Sequence, residues 1–138
     1  VDGYNGREIY AILDHEINSL KERHNGGQKI LRFMGVQAPI FGMAGTLIGL
    51  IQMLMHIDNP ATLGPALATA LITTFYGLIF ANLLITPVTA KLSLRTEHEI
   101  TLIGTIRVGI MGIFERSNPS KIQKSMNALL PPHERKYD

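Results

Sequence analysis

Cysteine and tryptophan are both absent from this chain of 138 residues. Without thiols there are no disulfides and no thiolate metal sites. Charge of either sign is scarce, and the balance of +2 is too small to argue for nucleic acid as a partner. No basic stripe with interleaved aromatics appears either. The most informative absence is local. Phe33 to Ile57 runs 25 residues without Asp, Glu, Lys or Arg, and Asn59 to Ala90 runs another 32. A bilayer core about 30 Å thick needs roughly 20 apolar residues as helix. Each stretch is long enough to span, and a short turn around Asp58-Asn59-Pro60 separates them. The expected fold class is therefore an all-α membrane protein: a transmembrane helical hairpin with long cytoplasmic helical extensions.

Basic residues give the orientation. Lys21, Arg23, Lys29 and Arg32 precede the first span, Lys91 and Arg95 follow the second, and the turn has neither Lys nor Arg. Basic residues stay on the cytoplasmic side, so both ends are expected in the cytoplasm. The start, Val1-Asp2-Gly3, has no basic n-region or apolar h-region of a signal peptide. It also lacks an initiating Met, and the chain is expected to be part of something longer.

Periodicity divides the chain further. Ile9, Leu13, Ile17 and Leu20 recur at helical spacing, so residues 1–33 read as a cytoplasmic segment with an amphipathic helix over 7–24. Asn25-Gly26-Gly27 is expected to loosen or interrupt it. The first span covers 34–57 and the outer turn 58–64. The second span covers 65–90, with Pro65 in its first helical turn. Ile100, Ile103, Ile106, Ile110 and Ile113 continue the spacing as a cytoplasmic stalk over 91–116. Asn118-Pro119 reads as an N-cap and first-turn proline for a short helix to about Leu130 within 117–138. Pro131-Pro132 stops it, and the rest is expected to be a mobile tail.

No nucleophile triad, phosphate loop or metal-ligand spacing is present, so no catalytic residue is assigned and an enzyme is not expected. His15, His24, His98 and His133 read as solvated surface histidines, and His56 as an interfacial one. The residues of interest lie inside the spans. Gly42, Gly45, Thr46 and Gly49 form a small-residue face, and Gly45-x-x-x-Gly49 permits close helix approach. Thr69, Thr73, Gly77 and Ala81 form another, with Thr74 beside it. Helix packing through Gly42, Gly45, Gly49, Gly77 and Ala81 accounts for much of this pattern. Thr46 and Thr74 also offer oxygens to a hydrated cation or a water file without the cost of a buried charge. Neither span contains a carboxylate, so an ion-binding acid has to come from a partner helix. Pro39 and Pro87 each remove a backbone hydrogen bond. They are expected at similar depth, as static kinks or as a pair of coupling hinges.

Ala38-Pro39-Ile40-Phe41-Gly42-Met43-Ala44-Gly45-Thr46-Leu47-Ile48-Gly49-Leu50 resembles the third transmembrane helix of MotA/PomA, the flagellar motor stator subunit of the MotA/TolQ/ExbB superfamily. Asn59 to Ala68 and Leu71-Ile72-Thr73-Thr74-Phe75-Tyr76-Gly77 resemble its outer loop and fourth helix. Ile85-Thr86-Pro87 through Lys91-Leu92 resembles that helix's exit. Glu16 to His24 and Leu129-Leu130-Pro131-Pro132 resemble the flanking cytoplasmic helix and the family's tail.

The resemblance implies a ring of five copies in the bacterial inner membrane, around a MotB/PomB-type partner. The partner's single span carries the ion-binding Asp. The rotor protein FliG is implied as the cytoplasmic partner, through segments this chain lacks. No cofactor is implied beyond the transported Na+ or H+. The family's ion-pathway threonines map onto Thr46 and Thr74 and its functional prolines onto Pro39 and Pro87. Sodium-driven members resemble this chain at Thr46, where some proton-driven members have Ala, so transient Na+ contact at Thr46 and Thr74 is expected. Two other readings stay open: an ExbB/TolQ-type energiser of outer-membrane transport, and a non-conducting scaffold.

Overall fold

The computed structural model describes residues 3–135, apart from the His133 side chain. The end of the tail, and the histidine reading at His133, lie outside the described residues. All regular structure among the described residues is helical: α1 (Gly6–Met55), α2 (Pro60–Ile79), a π-helical segment (Phe80–Ile85), α3 (Thr86–Phe114), α4 (Pro119–Leu129) and a 3-10 turn (Pro132–Glu134). The chain divides into two compact units. One comprises 27–92, and the other joins 1–26 to 93–138.

Each helix start has a local cause. Asn5 and Glu8 form a reciprocal capping box: the Asn5 N–H donates to Glu8 Oε2 at 2.8 Å and the Glu8 N–H to Asn5 Oδ1 at 2.9 Å. Such a pair satisfies two donors that the first turn leaves open. Asn59 caps α2 by accepting from the Ala61 N–H at 3.2 Å. Pro60 then takes the first helical position, where its missing N–H costs nothing. The helix therefore begins at Pro60, inside the 58–64 segment expected as the outer turn. Pro65 lies inside the helix. Asn118 caps α4 through the Ser120 N–H at 3.0 Å, with Pro119 next.

Asn25-Gly26-Gly27 does not interrupt α1, which is helical throughout its 50 residues. Each mid-helix glycine costs about 1 kcal/mol relative to alanine. Long flanking helical segments outweigh that cost, because propagation adds a hydrogen bond per residue once a helix exists.

In the unit of 27–92, α1 and α2 pair antiparallel through their smallest residues. Ala70 is fully buried and Ala81 is 2% exposed, whereas Leu47, Leu71 and Leu83 are all more than 60% exposed. Large apolar side chains therefore point away from the hairpin. Two helices, α1 and the run Pro60–Phe114, are long and apolar enough to cross a membrane. In such a setting the exposed Leu, Ile and Phe side chains meet lipid or neighbouring helices rather than water.

In the other unit, Ile17 and Leu20 of α1 are buried. Arg107 of α3 donates to Asp14 Oδ1 at 2.6 Å, and its guanidinium lies 4.9 Å from the centre of the Tyr10 ring. Ile122 and Met126 of α4 sit over Gly112 and Gly109 of α3. At the end of α3 the Arg116 N–H donates to Ile113 O and the Ser117 N–H to Gly112 O, both at 3.0 Å. This is a Schellman closure, and Arg116 holds its left-handed position with φ 52°. Glycine is the usual occupant there.

Candidate functional site

The close approach of α1 and α2 is set by glycines. A Cβ at Gly49 would lie 2.6 Å from Ala70 Cβ, and one at Gly45 would lie 2.7 Å from Thr73 Oγ1. At Gly42 the neighbours are Thr74 Cα at 3.0 Å and Thr73 O at 3.1 Å; at Gly77 the nearest is Ala38 O at 2.7 Å. A Cβ essentially never sits closer than 3.0 Å to another heavy atom, and 3.0–3.1 Å is already tighter than most real contacts. The small residues picked out from the sequence thus meet across one seam, with Ala81 buried along it. Thr69 does not join them: its hydroxyl donates to Pro65 O on its own helix and stays exposed.

This closeness brings Thr46 and Thr74 together. Their hydroxyls are hydrogen-bonded to each other. Thr74 Oγ1 donates to Gly42 O at 3.0 Å across the seam. Thr46 Oγ1 lies 3.2 Å from the same carbonyl and 3.3 Å from Ala70 O. Each hydroxyl has one proton and two lone pairs. The mutual bond uses one proton and one lone pair, and the second proton goes to a carbonyl. Hydroxyl lone pairs remain without a donor among the described residues. Both residues are half-buried, so this oxygen cluster is open at one side. A patch of uncharged oxygens at an apolar seam can accept from water or coordinate a hard cation weakly. It cannot titrate.

Pro39 and Pro87 are not brought to the same depth. Ala38 packs on Gly77, and Gly35 on Ile85. Counted from the second contact at about 1.5 Å per residue, the two prolines are separated along the hairpin by roughly 9 Å or more. The expectation of similar depth ignored how the helices pair. Pro39 sits within unbroken helix. Pro87 follows the π-helical segment: the Thr86 N–H donates to Ala81 O, five residues back, and the Thr86 hydroxyl reaches the same carbonyl at 2.9 Å. Proline lacks an N–H and clashes with the carbonyl four residues back. A wider turn relieves that clash.

Sequence reasoning missed three features. The π-helical segment was one, although Thr86-Pro87 in an apolar run is its signal. The Asp14–Arg107 pair was another, and 93 intervening residues give it no local signature. The third corrects a histidine: His24 is half-buried, and its Nδ1 lies 3.1 Å from the buried Thr96 hydroxyl, so it is not simply solvated. His15 and His98 are exposed. His56 is exposed at the end of α1, with Nδ1 3.0 Å from Gln52 O. No cluster of three metal-ligating side chains occurs among the described residues.

Comparison with known proteins places this hairpin in a family. The family described as the MotA/TolQ/ExbB proton channel family matches residues 1–105. The chain belongs to that family. PomA, the chemotaxis protein of Vibrio alginolyticus, is 39% identical over 130 residues, covering 94% of this chain and 51% of PomA. Motility protein A of Borreliella burgdorferi is 37% identical over 135 residues, covering 98% and 52%. The flagellar MotAB stator complex from Bacillus subtilis superposes with a TM-score of 0.87 at 30% identity, over 97% of this chain and 52% of that one. The chain spans about half the length of the relatives it matches.

Proposed function

We propose that this chain is the channel-forming half of a flagellar stator subunit, which couples inward flow of Na+ (or H+) to rotation against the rotor. The observation that carries this reading is the Thr46–Thr74 hydroxyl pair, set against the Gly42 and Ala70 carbonyls between two stretches that contain no carboxylate. Uncharged oxygens line a route but do not bind and release an ion by titration, so the acid belongs to a partner. A MotB/PomB-type single-span subunit fits that need, and the B. subtilis structure that this chain resembles is a complex with such a name.

In this scheme copies of the chain, five by family resemblance, ring the partner in the bacterial inner membrane with both ends of the hairpin cytoplasmic. An ion enters from outside and is held by the partner's carboxylate while Thr46 and Thr74 replace part of its water shell. Oxygen ligands suit a hard cation such as Na+. Release towards the cytoplasm changes the contact along the seam. Pro39 and Pro87 let the helices bend as it does so, and α3 passes the step to the cytoplasmic part that pushes on FliG. Two-state elements of this kind convert small local shifts into larger ones.

The test is flux of Na+ and of protons, measured separately, into liposomes holding the full-length protein with its partner. Thr46→Val and Thr74→Val each abolish most flux while the complex still forms. Flux at the wild-type level in both variants would overturn the reading.

A further inference from the structure

The π-helical segment leaves Asn82 in an unusual condition. Asn82 lies inside the uncharged second stretch, is exposed, and no hydrogen bond from the described residues reaches its carboxamide. Its main-chain carbonyl also loses its ordinary helical donor. The Thr86 N–H, the ordinary donor four residues on, is drawn instead to Ala81 O. The next residue, Pro87, has no N–H to give. The Thr86 hydroxyl also turns to Ala81 O rather than to Asn82. One residue thus presents an amide with no partner among the described residues and a carbonyl without its ordinary helical donor, and in a bilayer core unmet polar groups cost several kcal/mol each.

Its direction follows from helix geometry. Eight residues separate it from Thr74, about 12 Å towards Lys91. At about 100° per residue it lies within about 80° of Thr74, and the wider π turn advances each residue by less. Asn82 therefore lies up to about a quarter turn round the helix from Thr74, nearer to that face than to the opposite one. Gln37, the amide on α1 closest to this depth, is nine residues from Thr46 and falls on the opposite side of its helix by the same count.

We infer that Asn82 is a second oxygen station of the ion route, below Thr74, where the side-chain Oδ1 and the main-chain O of one residue receive a partly hydrated monovalent cation on its way to the cytoplasm. This rests on the channel reading proposed above. Pro87 acquires a chemical role in it: by lacking an N–H and forcing the π turn, it keeps the Asn82 carbonyl available to the ion. Water completes the shell, and no charge is needed because the partner's acid has already released its hold.

The experiment uses the full-length protein with its partner in liposomes, with Na+ uptake in one arm and a proton gradient in the other. Asn82→Leu removes the amide and Asn82→Ser keeps one oxygen. Losing a hydrogen-bonding contact to a charged species predicts a drop in flux of about tenfold or more for Asn82→Leu. The ion concentration giving half-maximal flux, set at Thr46 and Thr74, stays unchanged, and so does co-purification with the partner. Asn82→Ser recovers much of the flux. Wild-type flux in Asn82→Leu overturns the inference and leaves the channel reading intact. Loss of the complex in Asn82→Leu also overturns it, since the amide would then be an interhelical tie; so would a serine variant no better than leucine. Absence of flux in the wild-type complex itself would defeat the channel reading, and this inference with it.

Discussion

Placing a single methyl at position 77 tests the seam most sharply. The Cβ of Gly77→Ala would lie 2.7 Å from the Ala38 carbonyl oxygen, and 3.2 Å from Gly42 Cα. Both neighbours are backbone, so neither can rotate away. Ordinary contact begins at 3.4 Å, so α1 and α2 have to part by roughly 0.7 Å at this point. Overpacking of this kind costs about 1–3 kcal/mol, and replacing a helical glycine by alanine returns about 1 kcal/mol. The net expectation is a loss of about 0–2 kcal/mol, against a gain in the Gly64→Ala control. The same movement stretches the 3.0 Å Thr74–Gly42 hydrogen bond beyond useful length. Gly64→Ala is the matched control, because nothing lies within 4 Å of a Cβ there. It gains about 0.5–1 kcal/mol from helix propensity alone. The assay is thermal unfolding of both full-length variants in the same detergent, with ion flux measured beside it. Gly77→Ala as stable as Gly64→Ala would refute the account of the seam.

Three further outcomes are expected. Arg116→Gly relieves a left-handed residue at the end of α3 and raises stability by about 1 kcal/mol, read as a higher unfolding midpoint. Asn118→Ala strips the cap from α4 and lowers stability by about 1 kcal/mol; a smaller loss for Asn118→Ser would show that the cap oxygen is responsible. Thr74→Val keeps the shape and removes the hydroxyl, so it changes stability by less than about 1 kcal/mol, because hydrogen bonds within membranes are individually modest. Flux nevertheless falls sharply, and equal losses in both measurements would assign Thr74 to packing alone.

Much of this was readable from residue types. Missing charge over 33–57 and 59–90 declares two spans, and glycine at 42, 45, 49 and 77 declares how closely they approach. The capping asparagines at 59 and 118 each precede a proline, which marks a helix start. Pro60 and Pro65 both look like first-turn prolines, and only the Asn59 cap decides between them. Other features depend on how distant segments pair. The depth of Pro39 relative to Pro87 depends on contacts between Ala38 and Gly77 and between Gly35 and Ile85, which no local pattern encodes. The link from Asp14 to Arg107 has the same origin, as does that from His24 to Thr96. The π turn was a matter of consequence rather than pairing. Proline signals a lost hydrogen bond, but whether the chain kinks or widens is decided by Thr86, whose N–H and hydroxyl both turn to Ala81 O.

The most direct measurement is ion uptake by liposomes containing the complete subunit and its single-span partner, compared among wild type, Thr46→Val, Thr74→Val and the double variant. The account predicts robust uptake in the wild type, strong loss in each single variant and little further loss in the double, because the two hydroxyls act as one cluster. Undiminished uptake in the double variant, with the complex intact, would contradict it.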